Sequence, residues 1–156
     1  MSDVGLTHVA LQVTDLERSI TFYARYAAMQ VVHERTDATT GVRVAWLSDR
    51  TRPFAVVLIG AGKVGTVLAP IAHLGVGCGT REEVDRLCEE ARREGVLLQG
   101  PHDHGPPVGY WAFLRDPDGH TLELSFGQEI GLTIAEPPPA PSPGDEGTRP
   151  RPRASR

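Results

Sequence analysis

The chain has 156 residues, a formal net charge of -4, and 40% hydrophobic against 23% charged residues, which suits one ordinary globular domain with its own core and leaves no room for a second full-sized one. No basic stripe marks a nucleic-acid surface, no apolar run approaches the roughly 20 residues of a membrane span, and Met1-Ser2-Asp3-Val4 opens neither a basic nor a long apolar segment. Two cysteines, Cys78 and Cys88, make no disulfide framework, so a reducing, cytoplasmic setting is expected.

Residues 6–13 alternate, with Val9, Leu11 and Val13 against His8, Ala10 and Gln12, the pattern of a half-buried strand. Thr14 and Glu17 have capping-box spacing, and Leu16, Ile20, Tyr23, Ala24 and Ala27 form a helix-period stripe that predicts a helix up to about Met29. Three short β-rich runs follow, at 30–34, 42–47 and 54–59, separated by polar or Gly/Pro turns. A Gly-rich connector at 60–69 precedes a restart. His73 opposes Leu74, Val76 and Cys78, Thr80 and Glu83 repeat the capping box, and Val84, Leu87, Cys88 and Ala91 mark a helix closed by Gly95. A strand at 96–99, a Gly/Pro/His loop at 100–109 and a strand at 110–114 lead into Asp116-Pro117-Asp118-Gly119. Asp116 and Pro117 suit a type I turn, and Gly119 suits the left-handed residue closing a three-residue hairpin loop.

In the strand after that turn, Leu122, Leu124 and Phe126 share one face and Thr121, Glu123 and Ser125 the other. A carboxylate in mid-strand must meet a cation, a donor or water, because burying it unpaired is very costly. The hairpin register sets Asp116 opposite His120, and hence Phe113 opposite Glu123.

Both halves read βαβββ, an internal repeat. His8 and His73 hold equivalent places 65 residues apart (73 − 8), and the place equivalent to Glu123 in the first half is Val57. The domain is placed at 1–133, with modules at about 4–60 and 70–130. Residues 134–156 form a Pro-rich tail with Arg149, Arg151, Arg153 and Arg156 and too little apolar surface to fold.

The segments Thr7-His8-Val9-Ala10-Leu11-Gln12-Val13, Ile71-Ala72-His73-Leu74-Gly75-Val76 and Asp116-Pro117-Asp118-Gly119-His120-Thr121-Leu122-Glu123-Leu124 resemble the vicinal oxygen chelate superfamily of glyoxalase I, extradiol dioxygenases, fosfomycin resistance proteins and bleomycin-binding proteins. The resemblance spans about residues 4–130. It implies an α+β fold in which two βαβββ modules form a curved, eight-stranded open barrel around a metal cleft. It further implies His8, His73 and Glu123 as ligands, with Val57 in place of a fourth.

Two imidazoles and a carboxylate suit non-haem Fe(II), with Mn(II) or Zn(II) as alternatives. His102 and His104, in the loop ahead of the Glu123 hairpin, are candidates for proton transfer. By the resemblance, His104 stands near an active-site histidine of ring-cleaving dioxygenases. The tyrosine those enzymes carry is Phe113 here, and a further histidine is absent from Ala55-Val56-Val57-Leu58-Ile59. Trp111 and Phe113 offer an apolar wall to an aromatic or other flat substrate. Two functions follow: a metal-dependent enzyme on a small oxygen-bearing substrate, of dioxygenase, lyase or thiol-adding type, or a metal-free protein that sequesters an apolar or antibiotic ligand. A homodimer is expected, since an open sheet leaves edges and a groove.

Overall fold

The computed structural model describes residues 5–130; the expectations for the 134–156 tail lie outside the described residues. The first module comprises β1 (His8–Val13), α1 (Leu16–Ala27), β2 (Gln30–Thr36), β3 (Arg43–Ser48) and β4 (Ala55–Gly60). The second comprises β5 (His73–Gly77), α2 (Arg81–Arg93), β6 (Leu97–Asp103), β7 (Tyr110–Arg115) and β8 (Thr121–Phe126). The eight strands form two four-stranded sheets, ordered β1-β4-β3-β2 and β5-β8-β7-β6. In each, the first strand pairs in parallel with the last. Among the described residues no helix is long and apolar enough to cross a membrane.

The alternation of each strand divides its sheet into a helix face and an open face. Leu11, Val13, Leu47, Val56 and Leu58 meet Leu16, Phe22, Tyr23 and Tyr26 of α1, while Ala112, Leu114, Leu122 and Leu124 meet Val84, Leu87, Cys88 and Ala91 of α2. These residues form one continuous core, each large side chain contributing about 1.5–3 kcal/mol by leaving water. The residues with the chemistry stand on the other faces.

Four expectations are corrected. Asp15, not Thr14, caps α1: its side chain accepts from Arg18 N, while the Thr14 N–H and hydroxyl both donate to the Asp118 carboxylate, at 3.0 and 2.6 Å. The helix ends at Ala27, because Ala28 turns left-handed (φ 51°) and Met29 N–H donates to Tyr23 O. Its buried stripe takes in Phe22 and Tyr26 and leaves Ala24 exposed. Finally, β6 runs on through Gly100 and Pro101 to Asp103, so His102 is a strand residue rather than a loop residue. An edge strand tolerates proline because its outward side needs no donor.

The β7–β8 hairpin forms with the expected register: Asp116 N donates to His120 O, Gly119 has φ +100°, and Phe113 faces Glu123. Its turn also locks the modules together. Tyr23 Oη donates to Asp116 Oδ2 at 3.0 Å. His120, 1% exposed, accepts at Nδ1 from Leu68 N and therefore donates from Nε2 to the Gln12 carbonyl. The sequence offered no partner for that histidine, because both its partners are backbone groups.

Candidate metal centre

β8 is an interior strand, flanked by β5 and β7, so Glu123 is only 7% exposed. On the open face three cross-strand rows run from β7 through β8 to β5: Arg115, Thr121, His73; then Phe113, Glu123, Gly75; then Trp111, Ser125, Gly77. Gly75 leaves open space where a side chain would stand beside the carboxylate. His73 leans across from the neighbouring row and brings Nε2 to 3.0 Å from Glu123 Oε2. The other carboxylate oxygen, Oε1, accepts from Gln128 Nε2 at 2.5 Å.

The tautomer of His73 follows from its other contact. Nδ1 lies 2.6 Å from the Ile71 carbonyl oxygen, which can only accept, so Nδ1 carries a proton. Nε2 then either holds a second proton and donates to Glu123, or it presents a lone pair to a carboxylate. Two acceptors 3.0 Å apart repel unless a proton or a cation lies between them. Metal-ligating histidines commonly fix their outer N–H on a carbonyl or carboxylate, as His73 does on Ile71.

Aromatic rings continue from this pair. Phe113 lies 4.9 Å from His73 and 4.7 Å from Trp111, centroid to centroid, and Trp111 lies 5.2 Å from His102 and 5.4 Å from His104. Trp111 Nε1 donates to His104 Nδ1 at 3.4 Å. The end of β6, which carries His102 and leads into His104, is pinned to α2, where the Arg81 guanidinium pairs with Asp103 and lies over the Tyr110 ring while Tyr110 Oη donates to Asp85. The Gly105 N–H, with Arg81, holds the Asp103 carboxyl below the usual carboxylate range.

The first module carries a matching face. His8 pairs with Ala55 as His73 pairs with Thr121, so Val57 occupies the place of Glu123 and Trp46, opposite Val57, the place of Phe113. Trp46 is 43% exposed, with His33 edge-on to it at 5.1 Å. Sequence reasoning passed over Trp46, His33 and Gln128; the tryptophan was legible from the repeat, opposite Val57 as Phe113 is opposite Glu123. His8 is exposed on an edge strand, and its Nδ1 meets Thr7 Oγ1 at 3.0 Å. Among the described residues no three His, Cys, Asp or Glu side chains gather as a metal set. Of the three expected ligands, the chain brings together His73 and Glu123 and leaves His8 apart.

Residues 5–124 match the model of the Glyoxalase/Bleomycin resistance protein/Dioxygenase superfamily. The chain belongs to this superfamily. It is 35% identical over 129 residues to an uncharacterized protein of Pseudomonas aeruginosa, covering 81% of this chain and 91% of that one. It is 28% identical over 135 residues to a probable lactoylglutathione lyase of Synechocystis, covering 76% and 92%. In fold it is similar to a mutant of the fosfomycin resistance protein FosX from Listeria monocytogenes, complexed with Mn(II) and a dihydroxypropylphosphonic acid, with a TM-score of 0.67 at 19% identity, covering 85% of this chain and 99% of that one.

Proposed function

We propose that the protein is a metal-dependent enzyme of the vicinal oxygen chelate type acting on a small oxygen-bearing substrate, with His73 and Glu123 of one copy and His8 of a second copy as ligands. The observation that carries this reading is the 3.0 Å approach of His73 Nε2 to Glu123 Oε2 with Nδ1 already committed to Ile71. Two nitrogen donors and one carboxylate fit Fe(II), Mn(II) or Zn(II). The ion, when bound, polarises a substrate oxygen as a Lewis acid.

The rest is the work of the chain's own residues. Phe113 and Trp111 supply a wall for a flat or apolar part of the substrate, with open space over Gly75 beside it. His104 accepts from Trp111 at Nδ1 and so keeps its proton on Nε2, where it can donate to a substrate oxygen. His102 packs at a tilt against the same indole and serves as the second proton carrier. Val57 leaves three ligands rather than four, which sets the chain apart from a four-ligand glyoxalase-type site and nearer to fosfomycin-type and ring-cleaving enzymes.

A second copy is required because His8 is exposed and away from the pair it should complete. β1 and β5 are both edge strands with a free side. A two-fold axis that sets the first-module face of each copy over the second-module face of the other would build two identical sites, an isologous arrangement. The edge strands would be covered in the same step.

The test is titration of Mn(II), Zn(II) and, anaerobically, Fe(II) into chelator-treated protein and its His73→Ala and Glu123→Gln variants. Wild type should bind one ion per chain, and both variants should lose affinity by about 100-fold or more while folding normally. A metal-free binding protein predicts instead no uptake by wild type and quenching of Trp46 and Trp111 by apolar ligands alone.

A further inference from the structure

We propose that Gln128 is a positioning residue for Glu123, holding one carboxylate oxygen so that only the other faces the metal; the proposal rests on the metal reading above. Glu123 Oε1 can only accept, so the Gln128 group facing it at 2.5 Å is the amide nitrogen. Oε2 is the oxygen turned toward His73. A carboxylate free to rotate can grip an ion with both oxygens. One whose Oε1 is held by an amide donor offers Oε2 alone, leaving a coordination position for a substrate oxygen.

Backbone contacts, rather than the flexibility of a long side chain, set where Gln128 stands. β8 ends at Phe126, and Gly127 reverses the chain with φ +73°. The turn lies against Gly109, where a Cβ would come within 2.5 Å of Phe126 O and 2.9 Å of Gln128 N. Glu129 N then donates to Pro107 O at 3.0 Å. Gly109 in turn accepts from His104 N at 3.0 Å, so the loop that carries His104 and the turn that carries Gln128 share one backbone frame. Gln128 also lines a groove of about 350 Å³ along β5, with Leu47, Phe54, Val56, Leu74 and Ser125, whereas Glu123 does not line it. Gln128 therefore both donates to the carboxylate and borders this groove.

A purely structural Gln128 would only satisfy a buried carboxylate. Replacing it would lower the stability of the metal-free protein and leave affinity and coordination alone. A positioning role predicts that Gln128→Met, equal in length but without a donor, and Gln128→Ala both weaken Mn(II) binding about 10-fold or more. It also predicts a changed visible ligand-field spectrum of the Co(II)-loaded chain, whatever the unfolding midpoint. Wild-type affinity and spectrum in Gln128→Met overturn the proposal. Glu123→Gln, measured alongside, separates the two claims: if it loses binding while Gln128→Met keeps it, only the positioning role falls. If Glu123→Gln binds like wild type, the metal reading falls and takes this proposal with it.

Discussion

The hairpin that carries Glu123 is fixed to the first module by a buried phenol, and Tyr23→Phe tests how firmly. Tyr23 is 0% exposed and Asp116 3%, and the Tyr23 hydroxyl donates to Asp116 Oδ2 at 3.0 Å. Asp116 Oδ1 is taken by the amides of Asp118 and His120, so the turn is organised around this carboxylate. Burial, with the nearby Asp116 charge, pushes the phenol well above its usual range, so it remains a donor across any ordinary buffer. Removing it leaves Oδ2 buried with no donor. A hydrogen bond to a charged group contributes about 1.5–3 kcal/mol, which at about 4 °C per kcal/mol for a domain of this size is a fall of roughly 6–12 °C in the midpoint. Urea unfolding should show that loss of stability with an unchanged slope. A change below about 0.5 kcal/mol would refute the assignment of the phenol as the clamp.

Val57→Glu should place a second carboxylate, and a fourth ligand, at the position equivalent to Glu123. Since Val57 is 8% exposed, the variant should melt lower than wild type without metal and regain stability, with tighter binding, when Mn(II) or Zn(II) is added; calorimetry in both states checks this. Burial raises the Cys78 and Cys88 thiols to about 11, so both should react slowly with a disulfide reagent at pH 8 in the folded protein. Raised folded-state values also mean that their contribution to stability is complete below about pH 9, the ordinary thiol range, and lost as pH rises toward 11. Unfolding midpoints that stay flat across that window would contradict the burial argument.

What the sequence made legible was local. α2 announced itself through Thr80, Glu83 and an apolar stripe, and the Asp116–Gly119 turn fixed its own register and with it the pairing of Phe113 with Glu123. The errors arose where another module decides. Thr14 and Asp15 are both good caps, and Asp15 serves because Asp118, over a hundred residues away, engages Thr14. Ala24 fits an apolar stripe by residue type, but the buried face of α1 runs through Leu16, Ser19, Phe22, Tyr23, Tyr26 and Ala27, and Tyr26 packs there with its hydroxyl donating to Glu94. Gly100 and Pro101 read as loop, yet an edge strand with irregular register accommodates both. Gln128 and His120 act through contacts without a sequence pattern. The repeat placed His8 and His73 at equivalent positions, but equivalence fixes a residue within its own module and says nothing of which modules face each other.

The central claim, a metal site shared between two copies, is tested most directly by mixing subunits. His8→Ala and Glu123→Gln homodimers should each fail to bind Mn(II), because every site in them lacks a ligand. Co-refolded and purified as heterodimers through distinct tags, they should recover one tightly bound ion per dimer, at the site that joins His8 of the Glu123→Gln chain to His73 and Glu123 of the other. Heterodimers that bind no metal, or a wild-type chain that binds metal as a monomer, would contradict the account.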